Sequence, residues 1–149
     1  RHGRPSAVSY TAVISGFARQ AQAGEAARLF GEMRKSCLEP DEVAFSALIS
    51  GHARLGHVAA AREAIADMVA AQLKPNVVTW TSLLQACAAA RPKRRHEAEK
   101  VLRQMVRAGV APNAATLDIL VWALGLANSR ALCEELGLPE PRPRSPKEG

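Results

Sequence analysis

Residues 42–76 carry a pattern that the segments on either side repeat in register, and a repeat of 35 residues leaves few folds open to the chain. Within it Phe45, Leu48, Ile49 and His52 fall at i, i+3, i+4 and i+7, and Ala61, Ala64, Ile65 and Met68 do so again. That spacing puts one apolar stripe on each of two amphipathic helices. Leu55-Gly56-His57 breaks the first helix from the second, while Leu73-Lys74-Pro75-Asn76 ends the second and offers Asn76 as the N-cap of the next. One period earlier stand Tyr10, Val13, Ile14 and Phe17, then Ala26, Leu29, Phe30 and Met33, then Leu38, Pro40 and Asp41. One period later Trp80, Leu83, Leu84 and Cys87 open a unit that Ala98, Val101, Leu102, Met105, Val110, Pro112 and Asn113 close. This unit is two residues longer, in Arg91-Pro92-Lys93-Arg94-Arg95 between its helices, where an insertion disturbs packing least. Leu117, Leu120, Val121 and Leu124 begin a fourth unit that stops short.

A helical hairpin of this size cannot bury its stripe alone, so each neighbour must supply the missing wall, and the product is a solenoid. The tetratricopeptide repeat has a similar period, but its Trp-Leu-Gly-Tyr-Ala-Phe-Pro pattern fits poorly. Val-Thr-Trp-Thr-Ser-Leu-Leu at 78–84, Leu-Phe-Gly-Glu-Met at 29–33, and the closing Glu-Pro-Asp, Lys-Pro-Asn and Ala-Pro-Asn resemble the pentatricopeptide repeat in its 35-residue P-type form. The expected fold is all-α: a right-handed α-solenoid of stacked antiparallel helical hairpins. Its expected parts are a flank at 1–6, repeats at 7–41, 42–76 and 77–113, a degenerate half repeat or cap at 114–138, and a Pro-rich basic tail at 139–149. In the cap, Leu117, Leu120, Val121, Leu124, Leu132 and Leu136 are placed to cover the end of the third unit. The tail, too poor in apolar residues for a core, is expected to be extended or disordered.

The net charge of +6 and pI of about 9.8 favour a polyanionic partner, and serve equally for solubility or for an acidic protein surface. No run of eighteen apolar residues exists to form a membrane-spanning helix. The chain begins with Arg1 rather than Met, which reads as a mature or trimmed fragment. Cys37, Cys87 and Cys133, odd in number and far apart, read as reduced and mostly buried thiols. His2, His52, His57 and His96 share no ligand spacing, and His52 stands where Phe17 and Cys87 stand in neighbouring units, so it reads as packed. No metal or other cofactor is expected. The carboxylates Glu25, Glu32, Glu63, Asp67, Glu97 and Glu99 are scattered over second helices as solvated faces with local ion pairs, so the chain reads as no enzyme.

A second face of each first helix reads Val8, Thr11, Ser15, Arg19, then Val43, Ser46, Ser50, Arg54, then Val78, Thr81, Gln85, Ala89. Offsets of three, seven and eleven keep each set on one side of its helix. Stacked, they make an apolar row, a hydroxyl row and an incomplete arginine row. A base with two apolar faces and a hydrogen-bonding edge, linked through charged phosphates, matches those rows. Exposed helices carry small polar residues for ordinary reasons too, and arginine stems often cover neighbouring surface.

The resemblance implies more. In that family one base is read per unit by the residue after the first-helix aromatic together with the residue after the closing proline. Carried over, the pairs are Thr11 with Asp41, Ser46 with Asn76 and Thr81 with Asn113, implying 5′-GAA-3′ in single-stranded RNA with Val8, Val43 and Val78 wedging the bases. Asp41, Asn76 and Asn113 are equally expected as N-caps. Tyr10, Phe45 and Trp80 belong to the core face by period. Phosphate or polyanion contacts fall to Arg19, Arg54, Arg91, Lys93, Arg94 and Arg95. The third unit departs with Ala89 in place of arginine, and the fourth with Ala115, Asp118 and Trp122. Stacking contributes roughly 1–3 kcal/mol per base against an association cost of several kcal/mol, so three units bind weakly alone.

Two functional readings stand. One is an RNA-binding adaptor in organelle RNA metabolism, in mitochondrion or chloroplast as the resemblance implies. The other is a non-catalytic scaffold subunit of a large organelle assembly, a ribosome or membrane-protein complex, using the repeats for protein or rRNA contacts. A nuclease whose catalytic domain lies outside this fragment is a third class.

Overall fold

The computed structural model describes residues 7–20 and 22–141, which form eight α-helices and no strand. The expectations for the 1–6 flank, for the Val8 side chain and for the tail beyond residue 141 lie outside the described residues. First helices are α1 (Ala7–Arg19), α3 (Glu42–Arg54), α5 (Val77–Ala89) and α7 (Ala114–Leu124); second helices are α2 (Ala23–Lys35), α4 (Val58–Ala70), α6 (Arg95–Arg107) and α8 (Leu126–Leu136). Each first helix packs on its own second helix and on the next first helix, so α1, α3, α5 and α7 form one continuous row.

Local chemistry ends the second helices identically. Cys37, Gln72, Gly109 and Gly137 all take positive φ (61°, 68°, 78° and 70°) at the position just past the helix. The residue after each returns its amide to a carbonyl five back: Leu38 to Met33, Leu73 to Met68, Val110 to Met105 and Leu138 to Cys133. This left-handed cap satisfies carbonyls that the helix leaves open, while the apolar residue following it folds back onto the core. It also corrects the expectation for Cys37. Cys87 and Cys133 are buried, but Cys37 is exposed because it occupies the cap rather than a helix face.

The core runs unbroken along the stack. Ile14, Phe45, Ile49, Leu83, Leu84 and Leu120 come from first helices, and Met33, Met68, Leu102 and Met105 from second helices, all essentially without solvent access. Small residues bring the first helices close: a Cβ on Gly51 would lie 3.2 Å from the Cβ of Ala18. The second helices stand farther apart, since among the described residues no close backbone approach joins α2 to α4 or α4 to α6. They are linked instead by long side chains, Arg34–Asp67 at 3.2 Å, Arg62–Glu97 at 2.6 Å and Arg103–Glu135. A stack spaced more tightly on one side bends toward that side, which places the first helices on the concave wall.

Two expectations change. Val13, assigned to the core face, is 48 % exposed, whereas its equivalents Leu48 and Leu83 are 5 % and 1 % exposed. Leu48 shares the side of α3 on which Gly51 meets Ala18 of the preceding first helix, and no described first helix precedes α1. The segment read as a half repeat or cap contains both helices of a hairpin, each 11 residues long against 13 elsewhere. Gly125 (φ 86°) serves at once as the end of α7 and the start of α8, so the turn needs no further residues. Pro141 is buried, and Glu140 pairs with Arg130 at 2.9 Å, so the first residues of the tail lie against α8.

His52 is 8 % exposed, its Nδ1 has no hydrogen-bond partner, and its ring lies 5.8 Å from that of His57. Burial, and then the neighbouring His57, lowers its pKa below the usual imidazole value, with Glu63 pulling the other way. The unfolded chain therefore binds the proton more readily. Stability from this residue is full above the ordinary histidine range, near 6.5, and is lost as pH falls below it. The expected result is a melting temperature that drops between pH 7.5 and pH 5 in the wild type and drops less in His52→Phe, which takes the residue found at Phe17. Equal slopes in the two melting curves would refute this assignment.

Candidate nucleic-acid interface

The concave wall displays the stripe. Val43 and Val78 stand 58 % and 53 % exposed, an unusual position for large apolar side chains beside a continuous core. Between α1 and α3 lies an open groove of about 390 Å³ lined by Ser15, Arg19, Val43, Ser46, Ser50 and Arg54, together with Ala18 and Ala47. Hydroxyls and arginines of two units thus meet the apolar Val43 of the second in one cleft. In the third unit Thr81, Gln85 and Ala89 are partly buried on the corresponding positions of α5.

The closing residues of each unit are N-caps. Asp41 accepts the Ala44 amide at 2.9 Å. Asn76 Oδ1 accepts the Thr79 amide at 3.1 Å, and Asn113 Oδ1 accepts the Thr116 amide at 2.9 Å. Thr79 and Thr116 return their hydroxyls to the cap amides at 3.2 Å in both units, closing a capping box. Threonine three residues after the cap asparagine is a signal present in the sequence, and it went unused. These bonds engage one end of each cap side chain. Among the described residues the second oxygen of Asp41 and the amide nitrogen of Asn113 have no partner, but Asn76 Nδ2 donates to Glu42 Oε1 at 2.7 Å.

The partner residues on the first helices differ from unit to unit. Thr81 Oγ1 lies 2.7 Å from Thr116 Oγ1 of the next unit, while Thr11 Oγ1 is shielded and has no partner. The unit after Thr11 has Ala44 where Thr116 stands, and alanine has no hydroxyl to offer. Ser46 is partly buried in the groove. Tyr10 and Trp80 are partly buried against the core and Phe45 is fully buried, as packing residues.

Two of the expected phosphate contacts are turned inward. Arg54 Nη1 donates to the carbonyls of Ala18 at 3.2 Å and Arg19 at 2.9 Å, capping the open end of α1. Lys93 Nζ donates to the Trp122 carbonyl at 2.8 Å and sits 5.9 Å from the centre of its ring. Both are cations at helix C-termini, where the carbonyl ends favour positive charge. Arg19, Arg91, Arg94 and Arg95 are exposed and form no ion pair among the described residues.

Burial pushes the Cys87 thiol up to about 11 and raises that of Cys133, so both stay protonated and inert at neutral pH. Among the described residues no three His, Cys, Asp or Glu side chains converge to hold a metal ion, and no helix is long and apolar enough to cross a membrane.

No curated protein matches the sequence. Two crystal structures of the pentatricopeptide repeat protein PPR10 share the fold. One, from maize, matches with a TM-score of 0.76 over 92 % of this chain, and one in complex with an 18-nt psaJ RNA element matches at 0.75 over 89 %, both at 23 % identity. The matched region is 20 % of PPR10, so this chain spans about one fifth of that protein's length. The profile of the PPR repeat family matches residues 5–54 and again residues 40–89. Two overlapping matches that together cover more than half of the sequence, on a solenoid of helical hairpins, place the chain in the PPR repeat family.

Proposed function

We propose that the chain binds single-stranded RNA along its row of first helices, one base to each of the first three units, as an adaptor without catalysis. The observation that carries this reading is the groove between α1 and α3, where exposed valine, serine hydroxyls and arginine line a single open cleft. The PPR10 complex with an 18-nt RNA element supports it by likeness of fold. Valines wedge between base faces, cap residues meet base edges, and Arg19 with the free donors of Arg54 meets phosphates. Guanine presents N–H donors on its pairing edge, which suits the free carboxylate oxygen of Asp41. Adenine presents one donor and one acceptor, which suits the asparagine amide at Asn113, and that at Asn76 once its Nδ2 leaves Glu42 Oε1. The implied order is 5′-GAA-3′, and the setting in organelle RNA metabolism rests on the family resemblance.

A scaffold role inside a larger assembly is the second reading, favoured by the inward engagement of Arg54 and of Asn76. Native purification with and without nuclease separates the two. Partners lost on nuclease treatment, with recovered RNA rich in GAA, support the adaptor, whereas fixed protein stoichiometry that survives nuclease supports the scaffold.

Asn76→Asp is expected to move the preference of the second unit from adenine to guanine, read by competition between GAA and GGA oligonucleotides. The new carboxylate would face Glu42, so Glu42→Gln in the same chain is expected to sharpen the switch by removing like-charge repulsion. An unchanged GAA to GGA ratio in both variants would exclude Asn76 as a base reader.

A further inference from the structure

Resting on that RNA reading, we propose that the inserted turn of the third unit replaces the missing groove arginine at Ala89 and holds the RNA backbone where the strand passes the third unit toward its 3′ side. Arg19 and Arg54 end the first helices of units 1 and 2, and Ala89 ends that of unit 3. The turn of unit 2 abuts this end directly: a Cβ on Gly56 would lie 2.8 Å from the backbone of Ala89 and Ala90. Arg91 therefore follows Arg54 along the same rim of the concave wall.

The turn is held near its C-terminal end by two bonds. Lys93 donates to the Trp122 carbonyl at 2.8 Å, and the Arg94 amide donates to the Cys87 carbonyl at 3.0 Å. Arg91, Arg94 and Arg95, all within this turn and the start of α6, are exposed and have no carboxylate partner among the described residues. Local physics does not explain them. Arg94 is the N-cap of α6 and Arg95 its first residue, with no side-chain cap, where the helix dipole disfavours cations. The corresponding N-cap and first position of α2 are the uncharged Gln22 and Ala23, while both helices carry a glutamate at the third position, Glu25 and Glu97. The nearest carboxylate, Glu97, is turned to Arg62 at 2.6 Å and to Lys100 at 3.9 Å. At the opposite rim the cations without an ion pair among the described residues are Lys35 and Arg107, in the last turns of α2 and α6 where the dipole accounts for them, and Lys74, single in the loop after α4. A run of cations set against its own helix, on a rim that already carries arginines, suits an external polyanion.

The test uses the full chain with two RNA probes, GAA and GAA followed by three uridines, titrated from low to moderate salt. In the wild type the uridine tail is expected to raise affinity. The triple variant R91A/R94A/R95A is expected to lose that gain and to flatten the log–log salt dependence by about 2, since each phosphate neutralised on a single strand contributes about 0.7. R91K/R94K/R95K is expected to behave as the wild type, because charge is what the turn supplies. All three side chains are exposed and both anchors are retained, so unchanged thermal melting serves as the folding check. An alanine variant with wild-type slope and tail effect overturns the proposal, as does a lysine variant that falls with alanine. If the N76D switch persists in that case, RNA reading stands and only the role of the turn fails. A wild type that binds neither probe removes the RNA reading and this inference together.

Discussion

Replacing Phe45 by Ala is expected to lower stability by about 3–5 kcal/mol, and to do so at one joint of the stack rather than throughout. Phe45 is 1 % exposed on α3, and its ring meets that of Phe30 on α2 edge-on, with centroids 4.9 Å apart and planes at 66°. The pair therefore bridges the first and second units, and such an aromatic contact adds about 0.5–1.5 kcal/mol beyond the area buried. Solenoid stability is close to a sum of unit and nearest-neighbour terms, so losing this interface frees the first unit while the others keep their partners. Hydrogen exchange is expected to show amides of α1 and α2 opening well before those of α5 to α8, and urea unfolding to become broader. Uniform acceleration along all eight helices would mean that the stack melts as one body.

Gly56→Ala is expected to cost about 2–5 kcal/mol, although it adds a single methyl group. Gly56 has φ of 73°, where a Cβ is strained by roughly 1–2 kcal/mol. The same Cβ would also lie 2.8 Å from Ala89 C, Ala90 N and Ala90 Cα, all backbone atoms that cannot rotate away. Relieving that overlap requires the second and third units to part, and overpacking of this kind costs typically 1–3 kcal/mol. Gly109→Ala is the control, because it has φ of 78° and no atom within 4 Å of its Cβ, so only the backbone strain applies. Thermal or urea unfolding of the pair isolates the clash as the difference. Equal losses in the two variants would show that the turn moves without resistance.

Much of the architecture is legible in residue spacing because a repeat states each rule several times. Phe45, Leu48, Ile49 and His52 are buried as their spacing requires, and so are Ala61, Ala64, Ile65 and Met68. Failures came where a residue's fate depends on which neighbour it meets. Val13 has the right period and is exposed, because burial on that side of the helix is conferred by a preceding unit. Cys37, expected in or at the end of a helix, sits at the end of α2 in a left-handed cap, a position that Gly109 and Gly137 signal openly and that Cys37 and Gln72 conceal. The segment expected as a degenerate half repeat or cap forms a hairpin of two short helices whose turn is Gly125 alone, too short to register in the sequence as a break between them.

The candidate site divides in the same way. Sequence by itself determined the period, the pairing of helices, the caps at Asp41, Asn76 and Asn113, and the alignment of valine, hydroxyl and arginine rows, since each follows from helix geometry within one unit. Tertiary structure alone decided which polar groups in those rows are engaged. Arg54 is drawn to carbonyls 35 and 36 residues away, Asn76 to Glu42 34 residues away, and Thr81 to Thr116 35 residues away, while Arg91, Arg94 and Arg95 meet no carboxylate among the described residues. Each of these bonds joins residues one full unit apart. The repeat brings that unit into contact, but the length and direction of the particular side chain settle whether a bond is made.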